Sequence, residues 1–222
     1  MIAEEYYYHQ KPEISIPKGK TISFIVKTIK EVPVYFISAI KNTDITKPLN
    51  ENKLTQVLVE QINAILLEKE FSILAQNQYS DLFYGTKGIP DFYFYESEKG
   101  KTNKPLFIVE SKILPSPPPK TREKEYVIGE SKNGGIERFK TEKHGKGLNK
   151  CGIVGFVESE SFEFWKDKVN SWINELSNSD DFWNEDERII MKENVDISAF
   201  SHSIAHRKEE KDLLLYHFWI KT

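Results

Sequence analysis

Two carboxylates and one lysine are placed by the sequence so that they can meet. Asp91 opens a run of four aromatic residues, and an apolar run ends in Glu110 and Lys112. Both runs are typical of strands, and the nine polar residues from Glu96 to Lys104 predict a turn between them. Because side chains alternate along a strand, Glu110 and Lys112 lie on one face. Such charges beside an apolar core are costly unless they hold a cation or a phosphate, so the sequence predicts a site here.

Helices are predicted on both sides of these two strands. An apolar stripe at helical spacing predicts a long helix over residues 52–70, with Glu51 at its start and Glu60 near the edge of the stripe. Either glutamate could join the site, and either has an ordinary interpretation as a helix cap or a solvated side chain. A second helix is predicted from Gly134 towards His144, followed by a buried strand over 151–157.

The remaining segments predict an α/β fold with a mixed central sheet. Two β-rich runs, 21–26 and 32–37, predict an N-terminal β hairpin, so that residues 1–45 form an extension and residues 46–222 the main domain. Residues 160–178 are amphipathic, and runs near 199–206 and 213–220 predict two C-terminal strands. The prolines after position 114 end the strand of Lys112, and an exposed loop is expected from there to about 135.

Pro90-Asp91, an interval of eighteen residues and Glu110-Ser111-Lys112 resemble the signature of the PD-(D/E)XK nuclease superfamily. The resemblance covers about residues 50–160, with a helix before the aspartate strand and another after the Glu-x-Lys strand. It implies a restriction-endonuclease-like core and metal-dependent hydrolysis of phosphodiester bonds in DNA, with a 5′ phosphate on one product.

The resemblance also implies roles for individual residues. Asp91 and Glu110 would bind Mg²⁺ (or Mn²⁺) with the backbone carbonyl of Ser111, and Lys112 would orient or deprotonate the attacking water and offset charge on the phosphate. Glu51 is the preferred third carboxylate, because the opening of its helix resembles that of some members.

A basic segment surrounds the predicted site. The whole chain has a formal net charge of −3, but residues 99–150 contain thirteen Lys and Arg against six Asp and Glu. Arg138, Lys140, Lys143 and Lys146 are the predicted DNA contacts, since a local positive field attracts a polyanion. The alternatives are a helix-surface arginine and a solvated lysine-rich loop.

Other features limit the class of protein. No apolar run is long enough to predict a membrane span, and the residues at the start of the given sequence do not favour a secretion signal. The single Cys151 suits a reducing cytosol. Restriction of foreign DNA, an antiviral defence, is the first expectation for the biological role. The alternative is a non-catalytic nucleic-acid-binding or protein-interaction module on the same fold. DNA versus RNA, and a homodimer versus a partner subunit of a defence system, stay open.

Overall fold

The computed structural model describes residues 18–42 and 46–222, which form five α-helices and seven strands. The elements, in chain order, are α1 (Lys18–Glu31), α2 (Pro33–Ile40), α3 (Glu51–Glu68), β1 (Ile73–Asn77), β2 (Phe92–Glu96), β3 (Pro105–Leu114), α4 (Gly135–Lys140), β4 (Lys150–Val157), α5 (Phe162–Ser177), β5 (Ile190–Val195), β6 (Ser198–Ala205) and β7 (Leu213–Lys221).

All seven strands belong to one mixed sheet, in the order β1-β2-β3-β4-β7-β6-β5. The pairs β3–β4 and β4–β7 are parallel, and the other four pairs are antiparallel. The fold is therefore α/β with a mixed central sheet, as the sequence predicts, and the two C-terminal strands are confirmed. β3 lies inside the sheet: its first half, residues 105–109, pairs with β2, and its second half, residues 109–114, pairs with β4. The backbone around Glu110 and Lys112 is therefore fixed by the parallel pairing with β4.

Helices cover both faces of the sheet, and each face has its own apolar core. The first core joins α1, α2 and α3 to alternate residues of β2 and β3, such as Phe92 and Val109. The second joins α4 and α5 to the opposite face, through residues such as Ile108 and Trp172. Glu110 and Lys112 follow Ile108 in the strand alternation, so they point to the face that carries α4.

The predicted N-terminal β hairpin is wrong. Residues 21–26 lie in α1, residues 33–37 lie in α2, and Val32 is the turn residue between the two helices. The earlier part of the extension, residues 1–17, lies outside the described residues. The buried residues Ile25, Ile29, Val32 and Phe36 recur at intervals of four, three and four, which is helical spacing. Their burial against α3 and the sheet outweighs the preference of β-branched residues for strands.

The predicted exposed loop after β3 is only partly exposed. The prolines and a short 3-10 turn at Lys120–Arg122 face solvent, but Tyr126 and Val127 are fully buried. The hydroxyl of Tyr126 contacts Nδ1 of His217 at 2.8 Å and accepts a hydrogen bond from Trp219 at 2.8 Å. The segment is thus anchored to β7 through Tyr126.

Candidate active site

The three residues singled out by the sequence do meet. Asp91 directly precedes β2, and the register that pairs Phe92 with Val109 places it beside the centre of β3. The backbone N–H of Ser111 donates to Asp91 Oδ2 at 2.6 Å. Lys112 Nζ lies 2.9 Å from Glu110 Oε1 and 2.8 Å from the carbonyl oxygen of Ser111. Antiparallel pairing and strand alternation together therefore build this cluster, as predicted.

The helix carboxylate of the cluster is Glu51. Its Oε1 lies 3.2 Å from Lys112 Nζ, because Glu51 is the first residue of α3 and that end of the helix faces β3. The cap of α3 is a different residue, Asn50, whose side chain accepts from the Lys53 N–H at 3.0 Å. Glu60 is exposed and accepts a hydrogen bond from Gln56 on its own helix. Of the two glutamates, Glu51, the one preferred from the sequence, is the one that lies beside Lys112.

Two further residues, on α4 and on the turn after it, contact the carboxylate of Glu110. Arg138 Nη1 forms an ion pair with Glu110 Oε1, so it is neither a free surface arginine nor one that points only towards solvent. His144 is buried, and its Nδ1 lies 3.2 Å from Glu110 Oε2. Neither of those two atoms has a hydrogen-bond partner in the described part of the chain. His144 belongs to no pattern that was recognised in the sequence, and only the fold brings it here.

The close approach of the turn at His144 to the chain before Asp91 depends on a glycine. A Cβ atom at Gly88 would lie 2.2 Å from the carbonyl oxygen of Lys143 and 2.5 Å from the His144 ring. Real Cβ atoms do not approach other atoms so closely, so a larger residue at 88 would push the two segments apart. Gly88 in the Gly88-Ile89-Pro90-Asp91 run is therefore a packing requirement of the site.

The charges of the cluster shift one another's pKa values. Burial, and then repulsion from Glu110, raise the pKa of Asp91 to about 7 despite attraction to Lys112. Burial alone would raise the pKa of Glu110, but Lys112, His144 and Arg138 hold it at about 2. Burial opposes the charge of Lys112, yet the surrounding carboxylates raise its pKa above the usual value. Burial also raises the pKa of Glu51. In the metal-free site the Asp91 carboxyl therefore titrates close to neutral pH, whereas Glu110 stays ionised.

The oxygen atoms of this cluster are of the chemical types that bind a hard divalent cation. Carboxylates of Asp91, Glu110 and Glu51 and the carbonyl of Ser111 are the ligand types that Mg²⁺ takes. The fully buried Glu110 Oε2 lies 3.2 Å from His144 Nδ1 but accepts no well-aligned hydrogen bond from the described residues, so it remains available to a cation. Within residues 18–42 and 46–222, no three His, Cys, Asp or Glu side chains form a ready-made ligand group. A cation here would therefore rely on the backbone carbonyl and on water as well as on carboxylates.

The predicted DNA-binding lysines have different environments. The prediction that Lys140 contacts DNA is wrong. Lys140 is buried, forms an ion pair with the buried Glu187, and has its Nζ 4.8 Å from the ring centre of Trp183. It has no exposed ammonium to offer a phosphate. Lys143 is half-buried, and its Nζ donates to the carbonyl of Ser131 at 2.6 Å, so it holds the preceding loop. Lys146 is half-buried, with no ion pair to any described carboxylate.

Comparison with protein-family models, curated proteins and solved structures finds no match for this chain. In the described part of the chain, no helix combines the length and apolar character needed to cross a bilayer.

Proposed function

We propose that the protein is a metal-dependent nuclease of the PD-(D/E)XK type with a restriction-endonuclease-like core, and that its substrate is DNA. The observation that supports this most directly is the convergence of Asp91, Glu110 and Lys112 in the middle of the sheet. Glu51 joins them from the start of the preceding helix. Two acceptor carboxylates and a neighbouring ammonium on adjacent strands are the minimal chemistry for holding a cation next to a phosphate.

In this proposal Asp91, Glu110, Glu51 and the carbonyl of Ser111 hold the cation. When bound, Mg²⁺ would supply Lewis-acid stabilisation of the phosphate and lower the pKa of a water molecule. Lys112 has its ammonium 2.8 Å from the Ser111 carbonyl, where it can orient a water and stabilise negative charge on the phosphate. Its contacts with two carboxylates also keep it in place while the site is empty of substrate.

In this proposal Arg138 and His144 contact the carboxylate of Glu110 and not the attacking water. Both contact Glu110, one on each oxygen, and so fix the orientation of its side chain. The Arg138 side chain is 24% exposed, so it is the cation of the cluster that incoming phosphate can reach. Removing either residue would leave the metal ligands in place but less well oriented.

The test is incubation of the purified protein with supercoiled plasmid in Mg²⁺, in Mn²⁺ and in EDTA. We expect nicked and linear products with either metal and none in EDTA. Asp91→Ala and Glu110→Ala should abolish cleavage, because water cannot replace a carboxylate ligand in the same geometry. Glu60→Gln is the matched control, since it removes a carboxylate from the exposed face of α3.

Failure of the wild-type protein to cut plasmid and linear DNA under all metal conditions would reject the nuclease proposal. Full activity in Asp91→Ala or Glu110→Ala, in the same preparation in which the wild type cuts, would instead reject the site. The foreign-DNA role is the biological part of the proposal, and protection of host cells against phage by the wild-type gene but not by the Glu110→Ala variant tests it.

A further inference from the structure

The segment between β1 and β2 forms a well-ordered loop with an apolar tip. Asp81 organises it: Oδ1 accepts from the N–H groups of Phe83 at 2.9 Å and Tyr84 at 3.0 Å, and Oδ2 accepts from the Thr86 N–H and hydroxyl, both at 2.8 Å. The Tyr79 hydroxyl also donates to Oδ1 at 3.2 Å, so one carboxylate satisfies five donors of the loop. The loop can therefore present side chains to solvent in a fixed arrangement.

The side chains presented by this loop are large and apolar. Leu82 is 71% exposed, Phe83 41% and Tyr84 38%, and these three residues are consecutive. Adjacent exposed residues of this size need an explanation, whereas single exposed apolar residues do not. Two of the three are aromatic, so the tip offers flat ring surfaces rather than a general apolar patch.

Lysines surround the aromatic tip. Lys104 Nζ lies 5.6 Å from the ring centre of Phe83 and 5.4 Å from that of Tyr84. Lys87 and Lys146 flank the same loop, and no described carboxylate forms an ion pair with any of these three lysines. The aromatic ring faces are complementary to the bases of a nucleic-acid strand, and the ammonium groups without an ion pair are complementary to its phosphates.

The lysine-lined surface continues into an open groove of about 520 Å³. The groove begins at Tyr84 and Lys87 and includes Lys132, Lys146 and Lys208. Of its four acidic lining residues, Glu137 and Glu142 are buried, and Asp180 and Glu209 are exposed. The solvent-facing charge of the groove is therefore positive, which suits a polyanion.

The loop is also continuous with the candidate active site. The Gln78 N–H donates to the backbone carbonyl of Asp91 at 2.8 Å. Both ends of the loop therefore lie beside Asp91, whose side chain belongs to the site. Tyr84 and His144 line the same small cleft. A Cβ atom at Gly147 would lie 2.3 Å from the Tyr84 ring, so the ring rests directly on the turn that follows His144. The exposed rings therefore lie beside the turn that carries His144, and His144 in turn contacts Glu110.

We propose that Phe83 and Tyr84 form a stacking platform for unpaired nucleotides, so that the substrate is nucleic acid with a single-stranded segment next to the cut site. In a duplex, each base face is covered by its neighbour, and only unpaired bases offer faces to the rings. The inference rests on the proposed nuclease function for the path of the strand, but the platform itself is tested by binding alone.

The experiment measures the anisotropy of a fluorescent 20-nucleotide oligo(dT) and of a blunt 20-base-pair duplex, both in EDTA. For Phe83→Ala combined with Tyr84→Ala we expect about a tenfold or greater loss of oligo(dT) affinity and little change for the duplex. Phe83→Trp should keep the wild-type affinity, because it keeps a ring. Tyr35→Ala is the matched control, since Tyr35 is 54% exposed but lies on α2.

Unchanged oligo(dT) affinity in the double variant, an equal loss for the duplex, or no oligo(dT) binding by the wild type would each overturn the platform. Plasmid cleavage separates this result from the proposed function. If the protein cuts DNA but the loop variants bind oligo(dT) like the wild type, the platform alone fails. If the loop variants lose oligo(dT) binding but no cleavage occurs under any metal condition, the nuclease proposal alone fails.

Discussion

Asp91→Asn should stabilise the metal-free protein at alkaline pH. In the folded protein the pKa of Asp91 is raised from 3.8 to about 7, first by burial and then by repulsion from Glu110. A group whose pKa is raised on folding binds protons more tightly in the folded state, so its ionisation lowers stability as the pH rises from about 4 to about 7. Asparagine stays neutral, and its carbonyl oxygen can still accept the hydrogen bond from Ser111.

The expected gain in the free energy of unfolding follows from the size of the pKa shift of Asp91. Three pKa units at 1.36 kcal/mol each give about 4 kcal/mol as the upper limit above pH 7. Asp91 is half-buried rather than enclosed, so screening by water reduces this, and we expect the variant to gain about 1–3 kcal/mol at pH 8.5. The gain should shrink at pH 5, because the wild-type carboxyl is then largely protonated in the folded protein.

The assay is urea unfolding of wild type and variant in EDTA at pH 5 and pH 8.5, with Glu60→Gln as the control for loss of an exposed carboxylate. A variant that is no more stable than the wild type at pH 8.5 would refute the reasoning. So would a gain of equal size at both pH values, since that would come from packing and not from charge.

Three further predictions concern individual side chains. Glu51→Gln should slow plasmid cleavage by about tenfold or more while Glu60→Gln leaves the rate unchanged, and equal rates would remove Glu51 from the site. Lys112→Ala should lose at least ~10²-fold in rate yet still bind Mg²⁺ by calorimetry; loss of metal binding would mean that Lys112 maintains the site rather than serves the chemistry. Lys140→Met should lower the free energy of unfolding by about 3–5 kcal/mol, because it leaves its buried carboxylate partner without a counter-charge. Lys146→Met should change that free energy by about 0.5 kcal/mol or less, and similar losses in the two lysine variants would contradict the buried ion pair.

The centre of the site was predictable because it depends on local rules. Alternation along β3 puts Glu110 and Lys112 on one face, and a single turn between two strands brings Asp91 alongside. The start of α3 was readable from its apolar spacing, but the choice of Glu51 over Glu60 needed the position of the helix relative to β3. Short-range periodicity carries no information about that position.

The errors have a common physical origin in burial by distant residues. Val32 and its neighbours favour strands by composition, but packing on α3 makes them helical. Lys140 lies in a basic stretch of the sequence, but it is buried in an ion pair with Glu187, forty-seven residues later. His144 reaches Glu110 only because α4 and its following turn fold back over β3. Such partners cannot be found from spacing within one segment.

The order of the strands has a consequence for how the chain assembles. Glu51, Asp91 and Glu110 all belong to the first 114 residues, whose strands β1, β2 and β3 pair with their sequence neighbours. Arg138 and His144 come later, with the parallel pairing of β4 that requires closure of a longer loop. In this order the three carboxylates and Lys112 come together by local pairing before Arg138 arrives, so a chain folded only this far would carry excess negative charge. Divalent cations or mild acid should therefore speed the folding step that completes the sheet, and this expectation does not depend on nuclease activity.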